Sequence, residues 1–428
     1  MVKISKFSYD NPRFQNLTNR GSGIPESVEI VVKEVIAGIR ERGDEALHEY
    51  MKKFDGVDID EIGLMVSDEE FENAKNSVSE EFKKSIKEAC DNIIKFHKKQ
   101  VPAGYEEKYE DGVVIQRKYK PIESVAVTVP AANGALISSL YMNLIPAVVA
   151  GVPNVYVLTK PREDGTIDEH LLYVADYLGV RNYYKISGSQ GLAAVALGTE
   201  TVKKVDAVLG PGNNYTQMAK KLLYGEVKID SLAGPSEIAI IADESTNPTF
   251  IAADMMSQAE HGTGFEASTT FCLSEKKAKE IDAEIDRLTK EHNLVDATKT
   301  TFDNYGDIFV VDRIEDAIDA VNMIAPEHAE VLCESADEVA AKIVDAGAVF
   351  VGEYSTEPVG DYYCGSNHIL PTCGTARFSA GMSVNEFMRG YSVIKYTEDA
   401  LKKNADSIIQ IAETEKLYAH ALAVKVRR

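Results

Sequence analysis

No C-x-x-C pair occurs among the five cysteines, Cys90, Cys272, Cys333, Cys364 and Cys373, and their number is odd. That excludes a zinc-finger spacing and argues against a disulfide framework, leaving free thiols in a reducing compartment. A run of about eighteen apolar residues is also missing, and the opening MVKISKFSYDNPRF has no apolar core, so neither a membrane span nor a secretory signal is expected. Positive charge is scarce: 46 Lys and Arg against 68 Asp and Glu give a net charge of −22. Such a surface repels phosphate backbones and anionic lipid, which points away from nucleic acid and membrane partners. Short-period repeats, low-complexity segments and a G-x-G-x-x-G fingerprint are absent as well. Gly210-Pro211-Gly212-Asn213-Asn214-Tyr215 lacks the third glycine, so any nucleotide is expected to be held by another kind of loop. A soluble, cytoplasmic protein acting on small molecules is the expectation.

At 428 residues the chain is too long for one simple core. Val28, Val31, Val32, Val35, Ile36 and Ile39 recur at helical spacing, and Ser67 with Glu70 resembles a capping box that opens a second long helical stretch. After Gly112 the period changes. Strands are predicted at Val113–Ile115, Val125–Val129, Val155–Leu158, Tyr183–Ile186, Ala207–Leu209, Ile238–Ala242, Thr269–Leu273, Ile308–Val311 and Val349–Gly352, separated by helices. This alternation predicts an α/β protein with two doubly wound, Rossmann-like parallel sheets, a small N-terminal extension and a helical C-terminal one. The expected division is an arm at 1–23, a larger α/β domain from 24–127 and 237–381, an inserted nucleotide-side domain at 128–236, and a tail at 382–428.

The chemistry gathers in the second half. A Gly-Pro turn presents Ser236, and an apolar helix-like segment ends in Gln258 and His261, three apart and so on one helical face. Alone, such a pair is more often a cap or a solvated face. Asp361 lies seven residues before His368 in a loop rich in Gly, Asn, Cys and Pro, and His420 follows in the tail. Gln258, His261, Asp361 and His420 together offer two imidazoles, a carboxylate and an amide oxygen, a mixed set suited to Zn2+ or a neighbouring divalent ion. Glu327 and His328 stand side by side after Pro326, where a helix cannot simply continue. An imidazole there could serve as a general base. Equally, Glu327 could cap the preceding helix with His328 packed beneath it.

The blocks GPGNNYTQMAKK, LAGPSEIAIIAD, DMMSQAEHG, NMIAPEHAEVL, GDYYCGSNHILPTCGTARFS and ETEKLYAHALAVKVR follow one another in the order seen in histidinol dehydrogenases, and RGDEALHEYMKKFDG near the start resembles the same family. The resemblance covers essentially the whole chain. It implies a zinc-dependent, NAD-linked homodimer that oxidises L-histidinol twice, through the aldehyde to L-histidine, with one Zn2+ per subunit. It implies Gln258, His261, Asp361 and His420 as metal ligands, and Glu327 and His328 as the proton-handling catalytic pair. Ser236, His368 and Glu415 would contact substrate along with these residues, and a crossing tail would bring Glu415 and His420 to the other subunit.

One loop departs from the pattern. Where the family reads Tyr-x-Pro-Gly-Gly, this chain has Thr128-Val129-Pro130-Ala131-Ala132-Asn133-Gly134. An aromatic nucleotide contact is lost, and alanines replace glycines that would let a phosphate approach the backbone. Gln190 and Asn213 still match family positions that contact NAD, with Thr128 at the altered one. The loop leaves open a paralogue acting on another alcohol or with a changed cofactor site. A zinc hydrolase in which Glu327 and His328 activate water, or a binding protein without turnover, is the reading from another class, and reduction of nicotinamide separates them.

Overall fold

The computed structural model, which describes residues 2–21, 23–109, 112–130 and 134–428, contains two parallel sheets and a small antiparallel one. From edge to edge the larger sheet runs Lys3–Lys6, Gly306–Val310, Ala267–Cys272, Glu237–Ala242, His328–Leu332 and Ala348–Val351, every neighbour parallel. Its three central strands, Ala267–Cys272, Glu237–Ala242 and His328–Leu332, are buried at every position because helices cover both faces. The two-residue period survives in what each side chain touches. Ile238, Ile240 and Ala242 pack with Ile251, Met255, Ile281 and Ile285 on one face, and Ala239 and Ile241 with Ala317, Val321 and Ile324 on the other. That parity aims the functional residues: His328 is in register with Ile238, so it faces the side covered by helix Pro248–Ala259.

The second sheet runs Asn182–Tyr184, Asn154–Thr159, Ser124–Val129, Ala207–Leu209 and Lys228–Ile229, again all parallel. Its first strand in the chain lies at the centre, with later strands added to one side and then to the other. Strands 237–351 of the larger sheet are laid down the same way. Each sheet is therefore doubly wound, with one point where the direction of winding reverses.

Which helices cover which sheet departs from the expected division. Helices Glu26–Arg42 and Asp44–Tyr50 bury Val28, Val32, Val35, Ile39 and Leu47 with Ala126, Leu158 and Leu192, while helices Asp68–Ser77 and Glu80–His97 bury Phe71, Ile86 and Ile93 with Val125, Val127 and Leu144. The helical part of 24–127 thus covers both faces of the second sheet instead of joining the larger unit. An apolar stripe announces that a helix has a buried face, not which sheet that face will meet. The N-terminal arm is likewise built in: Lys3–Lys6 is an edge strand, and Phe14 and Leu17 of helix Pro12–Thr18 enter the core beside Phe271 and Phe309.

An antiparallel sheet of Met388–Lys395, Val114–Pro121 and Tyr105–Lys108 leads to the tail, which folds as helices Glu398–Thr414 and Tyr418–Lys425. All five cysteines are free. No helix among the described residues is long and apolar enough to cross a membrane.

Candidate active site

The helix Ile314–Ile324 is stopped by Ala325, held left-handed at φ 50°, and Pro326 then commits the chain to extended structure. Glu327 follows, and His328 opens the central strand His328–Leu332. Glu327 therefore does not cap the helix. Its carboxylate accepts from the Glu237 backbone N–H at 3.2 Å and is hydrogen-bonded by Ser236. His328 is 3% exposed, and its Nδ1 lies 3.1 Å from Gln258 Oε1. Asp361 approaches the other side of the ring, Oδ1 standing 3.8 Å from His328 Nε2, and its Oδ2 is 3.7 Å from His368 Nδ1. The His328 Nε2 and Gln258 Nε2 atoms are buried without a hydrogen-bond partner.

Burial dominates the electrostatics. It lowers the His328 pKa to about 4, opposed by Asp361 and reinforced by the nearby His368 and His261, so the imidazole is neutral near pH 7. Burial also raises Glu327 well above the usual carboxylate range, with the Asp361 charge adding to the effect. Asp361 goes the other way: burial would raise it, but His368 and His328 hold it at about 2.

Behind these residues lies a second row of acids. Glu357 is one helical turn before Asp361, Asp254 one turn before Gln258, and Glu330 two strand positions after His328. Glu330 Oε1 accepts from the Glu357 N–H at 2.8 Å, Thr356 donates to Asp254 at 2.6 Å, and Ser257 donates to Glu357 at 3.2 Å. His328, Glu357 and Asp361 place ligand atoms within 4.8 Å of one another, close enough to share a metal ion. Gln258 is fully buried near the end of helix Pro248–Ala259, and His261 stands exposed just beyond it.

A second site opens at the carboxyl ends of the smaller sheet. A cleft of about 650 Å³ is lined by Val129 and Pro130, by Lys160, by Ser187–Gln190 and by Pro211–Asn213, each group following a strand. It sits where the winding reverses, between Ser124–Val129 and Ala207–Leu209, the usual position of a ligand in such sheets. Tyr50, the last residue of helix Asp44–Tyr50, closes it together with Phe54 and Asp55 of the π-helical turn Met51–Asp55, the two rings stacked 5.7 Å apart at 14°. Gln190 Nε2 donates to Asp55 at 2.7 Å, and Lys160 lies 3.4 Å from the same carboxylate. Asn213 caps helix Asn214–Leu223, its Oδ1 accepting from the Tyr215 and Thr216 N–H groups. Thr128 Oγ1 donates to the Pro211 carbonyl at 2.7 Å, bridging the two strands at the reversal. Of the altered loop, Ala131, Ala132 and Asn133 lie outside the described residues.

The family model described as histidinol dehydrogenase matches residues 18–428. The chain belongs to the histidinol dehydrogenase family. It is 43% identical to the histidinol dehydrogenase of Clostridium acetobutylicum over 97% of this chain and 95% of that one, and 43% identical to that of Geobacillus kaustophilus over 92% and 93%. Its fold is similar to the crystal structure of histidinol dehydrogenase from Elizabethkingia anophelis, with a TM-score of 0.92 at 34% identity, covering 100% of this chain and 98% of that one. Membership makes it an oxidoreductase, as the sequence blocks lead one to expect.

For this histidinol dehydrogenase family member, the fold brings Ser236, Gln258, Glu327, His328, Asp361 and His368 into one cluster, with His261 beside it. Thr128, Gln190 and Asn213 line the separate cleft. Glu415 and His420 are exposed on the tail, whose two helices pack about a small core of their own, Ala405, Ile409, Ala412 and Ala421. Asp254 and Glu330 lie inside the quoted blocks without a role assigned to them, and Glu357 lies outside the blocks. Their signal is periodic, since each is one turn or one strand repeat from a motif residue. Tyr50, Phe54 and Asp55 lie in the block RGDEALHEYMKKFDG, but nothing in that block says that the crossing of a distant helix brings them to the cleft.

Proposed function

We propose that this enzyme oxidises L-histidinol in two NAD-linked steps, through the aldehyde to L-histidine, in histidine biosynthesis, with Zn2+ bound and as a homodimer. The observation that carries the reading is the buried, neutral His328, hydrogen-bonded to Gln258 and set between the Glu327 and Asp361 carboxylates. A cleft of nucleotide dimensions at the reversal point of the other sheet supports it.

The residues fit a zinc ion. Gln258 and His261 stand at the carboxyl end of a helix, where the dipole favours a cation, and Asp361 is held ionised nearby. Gln258, His261 and Asp361 would hold the metal with His420 from a second copy. When bound, zinc supplies a template for the substrate's imidazole and amine, and NAD supplies the hydride acceptor.

The chain's own residues handle the protons. As the alcohol carbon gives up its hydride, His328 accepts the hydroxyl proton, and Asp361 at 3.8 Å stabilises the imidazolium that forms. In the second step Glu327, oriented by Ser236 and the Glu237 N–H, takes a proton from water as the water oxygen bonds to the aldehyde carbon, and the His328 imidazolium left by the first step returns its proton to the carbonyl oxygen. The hydrated aldehyde then gives up its hydride to NAD and a hydroxyl proton to His328, leaving the acid. His368 and Ser236 orient the substrate, and Glu415 from a second copy would pair with its ammonium. The tail supports the crossing: Ile411, Tyr418, Leu422 and Val426 are 62%, 66%, 56% and 68% exposed, an apolar face for a partner to cover.

Mixing zinc-loaded protein with L-histidinol and NAD tests the reading. Two reduced nicotinamides per histidinol consumed is the expected stoichiometry. Binding of histidinol without reduction would indicate an altered cofactor site at Thr128–Gly134, and no binding would mean another alcohol.

A further inference from the structure

We propose that Lys220 is a positioning residue, locking the cofactor loop to the segment that enters the substrate cluster. The proposal deepens the reading of the cleft as the NAD site and rests on it. Lys220 lies on helix Asn214–Leu223 and is 1% exposed. Its ammonium donates to the Gly210 carbonyl at 2.9 Å and to the Ser231 carbonyl at 2.8 Å, and it is ion-paired with the Asp230 carboxylate. Asp230 in turn accepts from the Gly210 N–H at 2.8 Å. Gly210 is gripped through both its N–H and its C=O.

Each of the two carbonyls belongs to a different site. On one side, Gly210 has φ +109°, and a Cβ there would stand 2.8 Å from the Thr128 carbonyl oxygen, so only glycine fits the turn. Pro211, Gly212 and Asn213 follow directly and line the cleft. On the other side, the chain runs from Ser231 through Ala233, whose N–H donates to Gln217 at 3.0 Å, and Gly234, whose N–H donates to Thr372 at 2.6 Å. It ends at Ser236, which holds Glu327. Lys220 itself does not line the cleft. It acts through Gly210 and Ser231, one ammonium fixing the distance between the loop beside the cofactor and the approach to the substrate.

A buried ion pair is a weak source of stability, since apolar residues of like volume serve as well or better. Geometry is the stronger account of it here. Hydride transfer needs two carbons brought into close, aligned contact, and a misplacement of about 1 Å can cost about a hundredfold in rate.

The test is the pair Lys220→Met with Asp230→Asn, which leaves no uncompensated charge, beside Asp230→Asn alone in case the double variant does not fold. NAD binding is followed by calorimetry, turnover by steady-state kinetics, and the hydride step with histidinol deuterated at the carbinol carbon. The double variant is expected to raise the KM for NAD tenfold or more, lower kcat and enlarge the isotope effect, with histidinol affinity within twofold of wild type. Asp230→Asn should move the NAD KM in the same direction by about threefold. A fall in melting temperature with NAD KM, kcat per active site and isotope effect unchanged overturns the assignment of Lys220. Wild-type protein that binds no NAD overturns the cofactor reading, and this proposal with it.

Discussion

The two parallel sheets use opposite ends. In the smaller one the cleft sits at the carboxyl ends, faced by the N-termini of helices Gly188–Leu197 and Asn214–Leu223. In the larger one the cluster sits at the amino ends: Ser236 precedes strand Glu237–Ala242, Glu327 precedes strand His328–Leu332, and Gln258 and His261 come from a helix carboxyl terminus. In a wound sheet the helices run antiparallel to the strands, so the carboxyl edge gathers helix N-termini and the amino edge gathers helix C-termini. One edge is suited to the phosphates of a dinucleotide, the other to a metal ion and an imidazole. Both sites nevertheless lie beside the strand pair at which their sheet's winding reverses, though it is at the carboxyl edge that adjacent connections diverge and leave a crevice. The difference teaches that the reversal point locates a site, while the edge chosen sets the charge of what it takes.

If the two edges are chemically separate, stripping the metal with a chelator should abolish turnover while leaving NAD bound in the cleft with an affinity within a few fold of the loaded protein. Calorimetry of the stripped protein checks this, and loss of NAD binding with the metal would break the comparison. Next in size is His328→Asn. Removing a positioned base should lower kcat by about 10²–10⁴-fold, with metal content and NAD affinity preserved. Near-normal turnover would remove His328 from the proton transfer.

Much of this was legible before the fold. The strands at Ile238–Ala242 and Ala207–Leu209 stand out because their neighbours are helical and polar, and the motif blocks carry the site from Ser236 to His368. The partition of the helices was not legible, because Val28, Val32 and Val35 make the same stripe whichever sheet they cover. Strand Lys3–Lys6 escapes because KISK has one apolar residue and sits on an edge, and Met388–Lys395 because most of its length is exposed. The amino-edge location of the cluster depends on strand direction, which emerges only when the sheet is assembled. Glu415 and His420 show a different limit, since the fold of a single chain leaves them in solvent.

A sharper test of the amino edge uses Glu237, whose carboxyl lies 3.2 Å from Arg20 and accepts from the Cys373 N–H at 3.0 Å. Burial raises its pKa from 4.5 to about 7, with Arg20 opposing. A folded-state pKa above the unfolded one means that this group favours folding below about pH 4.5 and that the contribution is lost as pH rises through about 7. The shift corresponds to about 3 kcal/mol at most. Thermal melts between pH 5 and 8 should therefore show a steeper fall in stability for wild type than for Glu237→Gln, which cannot ionise. Parallel curves would mean that Arg20 neutralises the carboxylate fully across that range.

The smallest expected effect falls on the carboxyl edge. Asn213 contributes in two ways: its Oδ1 caps helix Asn214–Leu223 through the Tyr215 and Thr216 N–H groups, and the residue helps line the cleft. Asn213→Ala should remove about 1 kcal/mol of cap stability. It should also free the first turn of the helix to move relative to the loop that Lys220 holds. Because this helix terminus faces only the cleft, the NAD dissociation constant should rise about tenfold, equivalent to about 1.4 kcal/mol, while histidinol and metal affinity stay unchanged. Asn213→Ser or Asn213→Asp, which restore a capping oxygen, should recover most of the cap stability. If NAD affinity recovers in step, the helix terminus acts through its order; if stability returns and affinity does not, the asparagine amide itself meets the cofactor.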